Sequence, residues 1–234
     1  MTQPKLLKVL AWIVILSMSG CNQSSNSSDQ ESSDWISLFD GKTLNGWEQK
    51  NGTATYEVID GTIVGTTSDG SPNSFLCSKK SYGDFELTFE VKVDSELNSG
   101  VQIRSMTREE SVGEGRNQSA GRVIGPQVEI AYGDDQGGLS GYIWREATGD
   151  GWMTSREEPV KHQFFKKDAW NSYRILAKGA TVTTWVNGNQ VENVTDAGTY
   201  KKFPSGFIGL QVHGIKAGTG PYQVAWRNIK IREL

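Results

Sequence analysis

Side chains able to do chemistry recur at every second position in three segments of this sequence. Gln102 and Arg104 alternate with Val101 and Ile103, Gln127 and Glu129 with Val128 and Ile130, and Gln211 and His213 with Leu210 and Val212. Successive side chains of a β-strand face opposite ways, so each segment puts aliphatic residues on a core face and polar ones on the other. Tyr142, Trp144 and Glu146 also share one face, with the alternation open as to whether that face is buried. A solvent-facing sheet without a task more often shows Thr, Lys and Ser. Amides, carboxylates, a cation and an imidazole beside aromatic rings suit a sugar, because rings cover pyranose C–H faces and polar groups bind hydroxyls.

Other chemistries are poorly served. Two His and two Cys leave no room for a Cys/His zinc cluster or a disulfide framework. With 24 basic against 27 acidic residues, the chain lacks the cationic surplus that a nucleic-acid partner requires. Gly113-Glu114-Gly115 has no third glycine at the proper offset and no helix after it, so it is not a phosphate loop. Asp134-Asp135 could offer oxygens to calcium, but an acidic turn is the simpler reading, and no cofactor is expected. Cys77, within Ser74-Phe75-Leu76-Cys77, reads as a buried small hydrophobe.

The elements that must position these residues are strands. Phe85, Leu87, Phe89, Val91 and Val93 alternate with Glu86, Thr88, Glu90 and Lys92. Asp60-Gly61 and Asn187-Gly188 are preferred two-residue turns, predicting hairpins over 56–65 and 182–193. Strands are also predicted over 207–212 and 224–231, and no amphipathic helix of three turns is evident. About ten to twelve short strands with Gly-rich turns describe an all-β sandwich or jelly roll in one domain. Two connections, 106–122 and 147–168, are too long for simple turns and read as lids or polar excursions.

The N-terminus has the composition of a secretion address. Lys5 and Lys8 precede an apolar run over 9–18, and Ser19-Gly20 then precedes Cys21. The run is shorter than the roughly 20 residues a membrane span needs. Leu16-Ser17-Met18-Ser19-Gly20-Cys21 is similar to a bacterial lipoprotein signal whose cysteine is acylated after cleavage. The expected organisation is a signal peptide over 1–20, a lipidated Cys21 with a polar tether through 34, and a folded domain over 35–234. Loss of Lys5 and Lys8 leaves 22 basic against 27 acidic residues, so −3 becomes −5. A lipid would be the only membrane contact. Asn22 is not the aspartate that retains some lipoproteins at the inner membrane, so the expected place is the cell envelope, at the outer membrane or periplasmic face. No oligomeric state is assigned.

An ordered set of segments resembles the 3-keto-disaccharide hydrolase domain family of secreted and lipid-anchored bacterial proteins. They are Leu38-Phe39-Asp40-Gly41-Lys42-Thr43-Leu44-Asn45-Gly46-Trp47, Tyr82-Gly83-Asp84-Phe85-Glu86-Leu87 and Asn98-Ser99-Gly100-Val101-Gln102-Ile103-Arg104. Gly125-Pro126-Gln127-Val128-Glu129-Ile130, Trp170-Asn171-Ser172-Tyr173-Arg174-Ile175 and Thr184-Trp185-Val186-Asn187-Gly188 follow. Gly206-Phe207-Ile208-Gly209-Leu210-Gln211-Val212-His213 and Trp226-Arg227-Asn228-Ile229-Lys230-Ile231 complete the set. Many members carry Glu-x-Gln where this chain has Gln127-Val128-Glu129, so the carboxylate falls two residues later on the same face. The segment 106–122 is this chain's own.

The resemblance implies a concanavalin A-like jelly-roll sandwich with a site on one sheet, and hydrolysis of glycosides oxidised at C3. Such a reaction needs a base near C2, a donor at the C3 oxygen and an acid for the leaving oxygen. Glu129 or His213 is expected as base or acid, and Arg104 as the enolate stabiliser. Gln102, Gln127 and Gln211 would bind hydroxyls, with Tyr142, Trp144 and Glu146 beside the sugar. The alternative is a non-catalytic carbohydrate-binding module of an envelope lipoprotein.

Overall fold

A computed structural model describes Met1 and residues 34–115, 117–132 and 135–234. Residues 2–20 of the expected signal peptide, Cys21, the tether up to residue 33 and Asp134 lie outside the described residues. Fifteen strands follow one another: β1 (Ile36–Ser37), β2 (Trp47–Lys50), β3 (Thr55–Ile59), β4 (Thr62–Thr66), β5 (Ser74–Ser78), β6 (Phe85–Val93), β7 (Ser99–Thr107) and β8 (Val123–Ile130), then β9 (Ile143–Glu146), β10 (Trp152–Met153), β11 (Asn171–Lys178), β12 (Thr181–Val186), β13 (Asn189–Thr195), β14 (Phe207–Val212) and β15 (Gln223–Glu233). One helix, α1 (Ala197–Lys202), separates β13 from β14.

These strands form two antiparallel sheets in a jelly-roll sandwich. The first runs β13-β12-β11-β6-β15-β4-β3, with β1 also on β15, and the second runs β10-β9-β8-β7-β14-β5-β2. Both expected hairpins close on residues in the left-handed region, Asp60-Gly61 at φ 47° and 74° and Asn187-Gly188 at 50° and 79°. Those angles fit the turn whose twist matches paired strands.

The core lies between the sheets. Leu76, Leu210, Val101, Val128, Ile143 and Met153 line up across the second sheet and are buried. Ile63, Trp226 and Val91 answer them from the first sheet, where Phe89 stacks on Tyr173 at 4.9 Å. Burial of these rings and branched chains on one face of each sheet fixes the register, because a slip of one residue would turn every side chain over. The strand count exceeds ten to twelve because two-residue strands such as β1 and β10 exist only through their partners. The segment 106–122 is less irregular than its composition predicts. It extends the β7–β8 ladder through Arg108 N–H to Arg122 O at 2.8 Å and Gly121 N–H to Arg108 O at 2.8 Å.

Candidate functional site

Strand pairing sets two rows of side chains on the face of the second sheet that points away from the core. Gly209, Gln102, Gln127, Trp144 and Trp152 lie abreast across β14, β7, β8, β9 and β10. The adjoining row holds Phe75, Gln211, Gly100 and Glu129 across β5, β14, β7 and β8. Trp144 and Trp152 meet edge-on with ring centroids 5.0 Å apart, walling a cavity of about 260 Å³. Asn98, Gln127, Glu129, Glu146, Gln211 and His213 also line it.

Glycine makes room for this arrangement. A Cβ at Gly100 would stand 2.5 Å from the Gln127 Cδ, so the Gln127 side chain crosses directly over that backbone. Gly100→Ala is therefore expected to displace Gln127 and cost about 1–3 kcal/mol by overpacking. Thermal denaturation should show a Tm lower by roughly 2–4 °C per kcal/mol for a domain of this size. An unchanged Tm would mean that Gln127 is free to move.

Burial decides the electrostatics. Removal from water pushes the Glu129 carboxyl up to about 8, and the negative charges of Glu146 and Asp135 push the same way. Hydrogen bonds from Gln127, Nε2 to Oε1 at 2.7 Å, and from Asn98 hold it down. Gln211 is fully buried against the same cavity. Its Oε1 accepts from Gln127 at 3.4 Å, while its Nε2 has no hydrogen-bond partner among the described residues. Glu146 is ion-paired to Arg122 and accepts from Asn73 at 3.3 Å. A second, polar cavity of about 530 Å³ adjoins here, sharing Glu146 and His213 with the first. His213 is exposed at the junction, with Nδ1 2.7 Å from the Gly214 carbonyl. A proton on Nδ1 fits that contact and leaves Nε2 as the outward nitrogen.

A larger groove of about 690 Å³ lies on the other sheet. There Arg174 covers the Trp185 ring at 4.1 Å and pairs with Glu86, so ring and cation already serve each other.

The sequence profile of the 3-keto-alpha-glucoside-1,2-lyase-like domain matches residues 34–232. The chain belongs to that family. No curated protein matches it. Among solved structures, a presumed glycosyl hydrolase from Parabacteroides distasonis is 23% identical, with 89% of this chain and 97% of that one covered at a TM-score of 0.56. A Bacillus subtilis protein of unknown function with a galectin-like fold is 11% identical, covering 85% and 94%, with a TM-score of 0.60. The kappa-carrageenase of Pseudoalteromonas carrageenovora, complexed with an oligotetrasaccharide, is 11% identical, covering 84% and 94%, with a TM-score of 0.54. At these identities the likeness is one of fold.

Within this lyase-like domain the expected residues divide. Gln127, Glu129, Gln211, His213, Trp144 and Glu146 meet around one cavity. Arg104 does not. The β7–β8 register shifts between Gln102 and Met106, and Arg104 sits in that bulge with φ 50°. A bulge reverses the alternation beyond it, which swings Arg104 off the ligand face. Its guanidinium donates to Gly83 O at 2.7 Å, Gly179 O at 2.7 Å and Asp84 at 2.8 Å, beside the Tyr200 ring. Gln102 keeps the face but lies beneath the cavity, fully buried, with both amide ends engaged by Ser105 and Gln127. Tyr142 is buried, and its hydroxyl is held by the Val160 backbone N–H and C=O, each at 3.1 Å. Neither is placed to bind a sugar hydroxyl.

Three contributors were missed, Asn98, Trp152 and Ser105, while Asp135, weighed only as a calcium ligand or an acidic turn, lines the cavity. Asn98 falls in a quoted segment and Trp152 in a long connection, so both carried a signal. Asp135 is ion-paired to Lys161 at 2.7 Å. Among the described residues, no three His, Cys, Asp or Glu side chains gather as metal ligands.

Proposed function

We propose that this domain is a carbohydrate-active enzyme that cleaves glycosides and disaccharides whose sugar carries a ketone at C3. One observation carries the reading. A buried carboxyl, Glu129, pushed up to about 8, stands in a cavity walled by two tryptophans beside a Gln211 amide N–H that has no partner among the described residues. The family description and the sugar-processing names of proteins with this fold support the same class.

A C3 ketone acidifies the proton on C2. Glu129 takes that proton, and the C–H electron pair moves onto the C3 oxygen as an enolate. The Gln211 N–H donates to that oxygen, the role for which Arg104 is not placed. Collapse of the enolate restores the ketone, forms a C1=C2 double bond and expels the glycosidic oxygen, which takes the Nε2 proton of His213 in its imidazolium form, a proton that the water adding in the next step returns. Water then adds its oxygen to C1 and a proton to C2, so one water is consumed overall. Trp144 and Trp152 cover the apolar sugar faces. Glu129 suits the base role because a carboxyl pushed up to about 8 is a stronger proton acceptor than an ordinary carboxylate. In this reading the signal over 1–20 is removed, and a lipid on Cys21 holds the domain at the cell envelope. The scheme calls on no cofactor.

Incubation with a 3-keto-disaccharide and with its unoxidised parent, followed by mass spectrometry of products, tests the reading. Release of both sugars from the keto compound alone is expected. Trp144→Ala should raise KM about tenfold or more, through lost stacking and apolar contact. Affinity for either sugar without any product would make the domain a binding module instead.

A further inference from the structure

Beneath the cavity, three side chains form a hydrogen-bonded line with a single direction. The Ser105 hydroxyl donates to Gln102 Oε1 at 2.6 Å, Gln102 Nε2 donates to Gln127 Oε1 at 2.7 Å, and Gln127 Nε2 donates to Glu129 Oε1 at 2.7 Å. An amide accepts only through oxygen and donates only through nitrogen, so the orientation of each glutamine dictates that of the next. We propose that Ser105 and Gln102, neither of which reaches the cavity, are positioning residues that hold the Gln127 N–H against Glu129 and so maintain its proton-accepting form.

The line is built into the sheet. The bulge that removes Arg104 also brings Ser105 next to Gln102. Gly125, at φ 133°, leaves the space, since a Cβ there would stand 2.6 Å from the Ser105 Oγ. Gly209 leaves room on the other side, where a Cβ would come within 3.2 Å of the Gln102 Cβ. Ser105 and Gln102 are both fully buried, so water does not substitute for either link. In the reverse direction the Ser105 hydroxyl turns to the carbonyl of Pro126 or Ile103, each 3.2 Å away. Gln127 then presents its oxygen to Glu129, which only a protonated carboxyl can satisfy. The short Ser105–Gln102 bond therefore selects the direction that serves the carboxylate.

Other charges face Glu129 but lie outside this line. Glu146 comes from β9 and is paired to Arg122, Asp135 follows β8 and is paired to Lys161, and His213 follows β14. On β7 the facing residue is Gly100, and from the first sheet the Tyr173 hydroxyl donates to the Glu129 carbonyl at 3.3 Å. Substituting Ser105 or Gln102 touches none of these groups.

The proposal rests on Glu129 as proton acceptor, and its test has a readout independent of turnover. The Glu129 carboxyl carbon, assigned by its loss in Glu129→Gln, is titrated by NMR in the whole protein, in Ser105→Ala and in Gln102→Met. Both variants should raise the midpoint by about one pH unit, the scale on which one hydrogen bond to a carboxylate acts. The rising limb of kcat/KM against pH should move with it. A midpoint that stays in place or falls in either folded variant overturns the proposal. A raised midpoint in a protein without turnover at any pH would retain the line and sink the enzymatic reading. Turnover with an unmoved midpoint would do the reverse.

Discussion

Glu129→Gln is expected to lower turnover of a 3-keto-disaccharide by about 10²–10⁴-fold, the usual contribution of a positioned acid or base. Glutamine keeps the shape and still meets the Gln127 amide, but it cannot accept the C2 proton. The same substitution should stabilise the fold at high pH. A glutamate in the unfolded chain titrates near 4.3, whereas Glu129 in the fold titrates near 8. Between those values the native protein keeps a proton that the unfolded chain has released. Stability therefore declines as pH rises through this window and levels off above the folded value. The total is of the order of a few kcal/mol. Glutamine is exempt from that loss. Thermal scans should show Glu129→Gln melting with the wild type near pH 4.5 and several degrees above it near pH 8.5. A flat difference across that range would mean that Glu129 is not held protonated, and full turnover would remove it from the reaction.

A group that destabilises its own fold in this way is characteristic of a site selected for chemistry. The walls around it follow the same logic. Gln211 is fully buried, and its Nε2 has no partner among the described residues, an arrangement that costs free energy until an acceptor arrives. A ligand carbonyl oxygen would supply that acceptor, and it would gain most when negative charge develops on it.

Much of this was legible in the order of residues. Alternation over 85–93 placed β6, and Asp60-Gly61 and Asn187-Gly188 placed two hairpins, because those signals are local. The same alternation put Gln127, Glu129, Gln211 and His213 on one face, and strand pairing then brought them around one cavity. It failed at Arg104 because a bulge is a property of two paired strands, not of either strand's pattern. The helix α1 escaped notice because six residues are too few to show a helical period, although Asp196 caps it by accepting from Thr199 N–H at 2.8 Å. The setting of the Gln211 amide and the Gln102–Gln127 link depend on neighbours 84 and 25 residues away in sequence. No pattern along the chain encodes them.

Arg104→Ala separates the two accounts of that residue most sharply. If Arg104 steadied an enolate, its loss would fall on kcat while leaving the fold nearly untouched. Its observed partners predict the opposite. Truncation strips three donors from Gly83 O, Gly179 O and Asp84 and opens a hole beside the Phe85 and Tyr200 rings. Breaking a largely buried charge network of this kind costs about 3 kcal/mol, equivalent to a Tm lower by roughly 10 °C in a domain of this size. Lysine should not restore it, since one ammonium cannot reproduce the three-way fork of the guanidinium. Below the melting range of both proteins, kcat/KM for the 3-keto substrate should remain within about threefold of wild type, because no transition-state contact has been removed. A folded variant with wild-type Tm and a hundredfold loss of kcat would return Arg104 to the reaction. It would also require the bulge between Gln102 and Met106 to open when substrate binds.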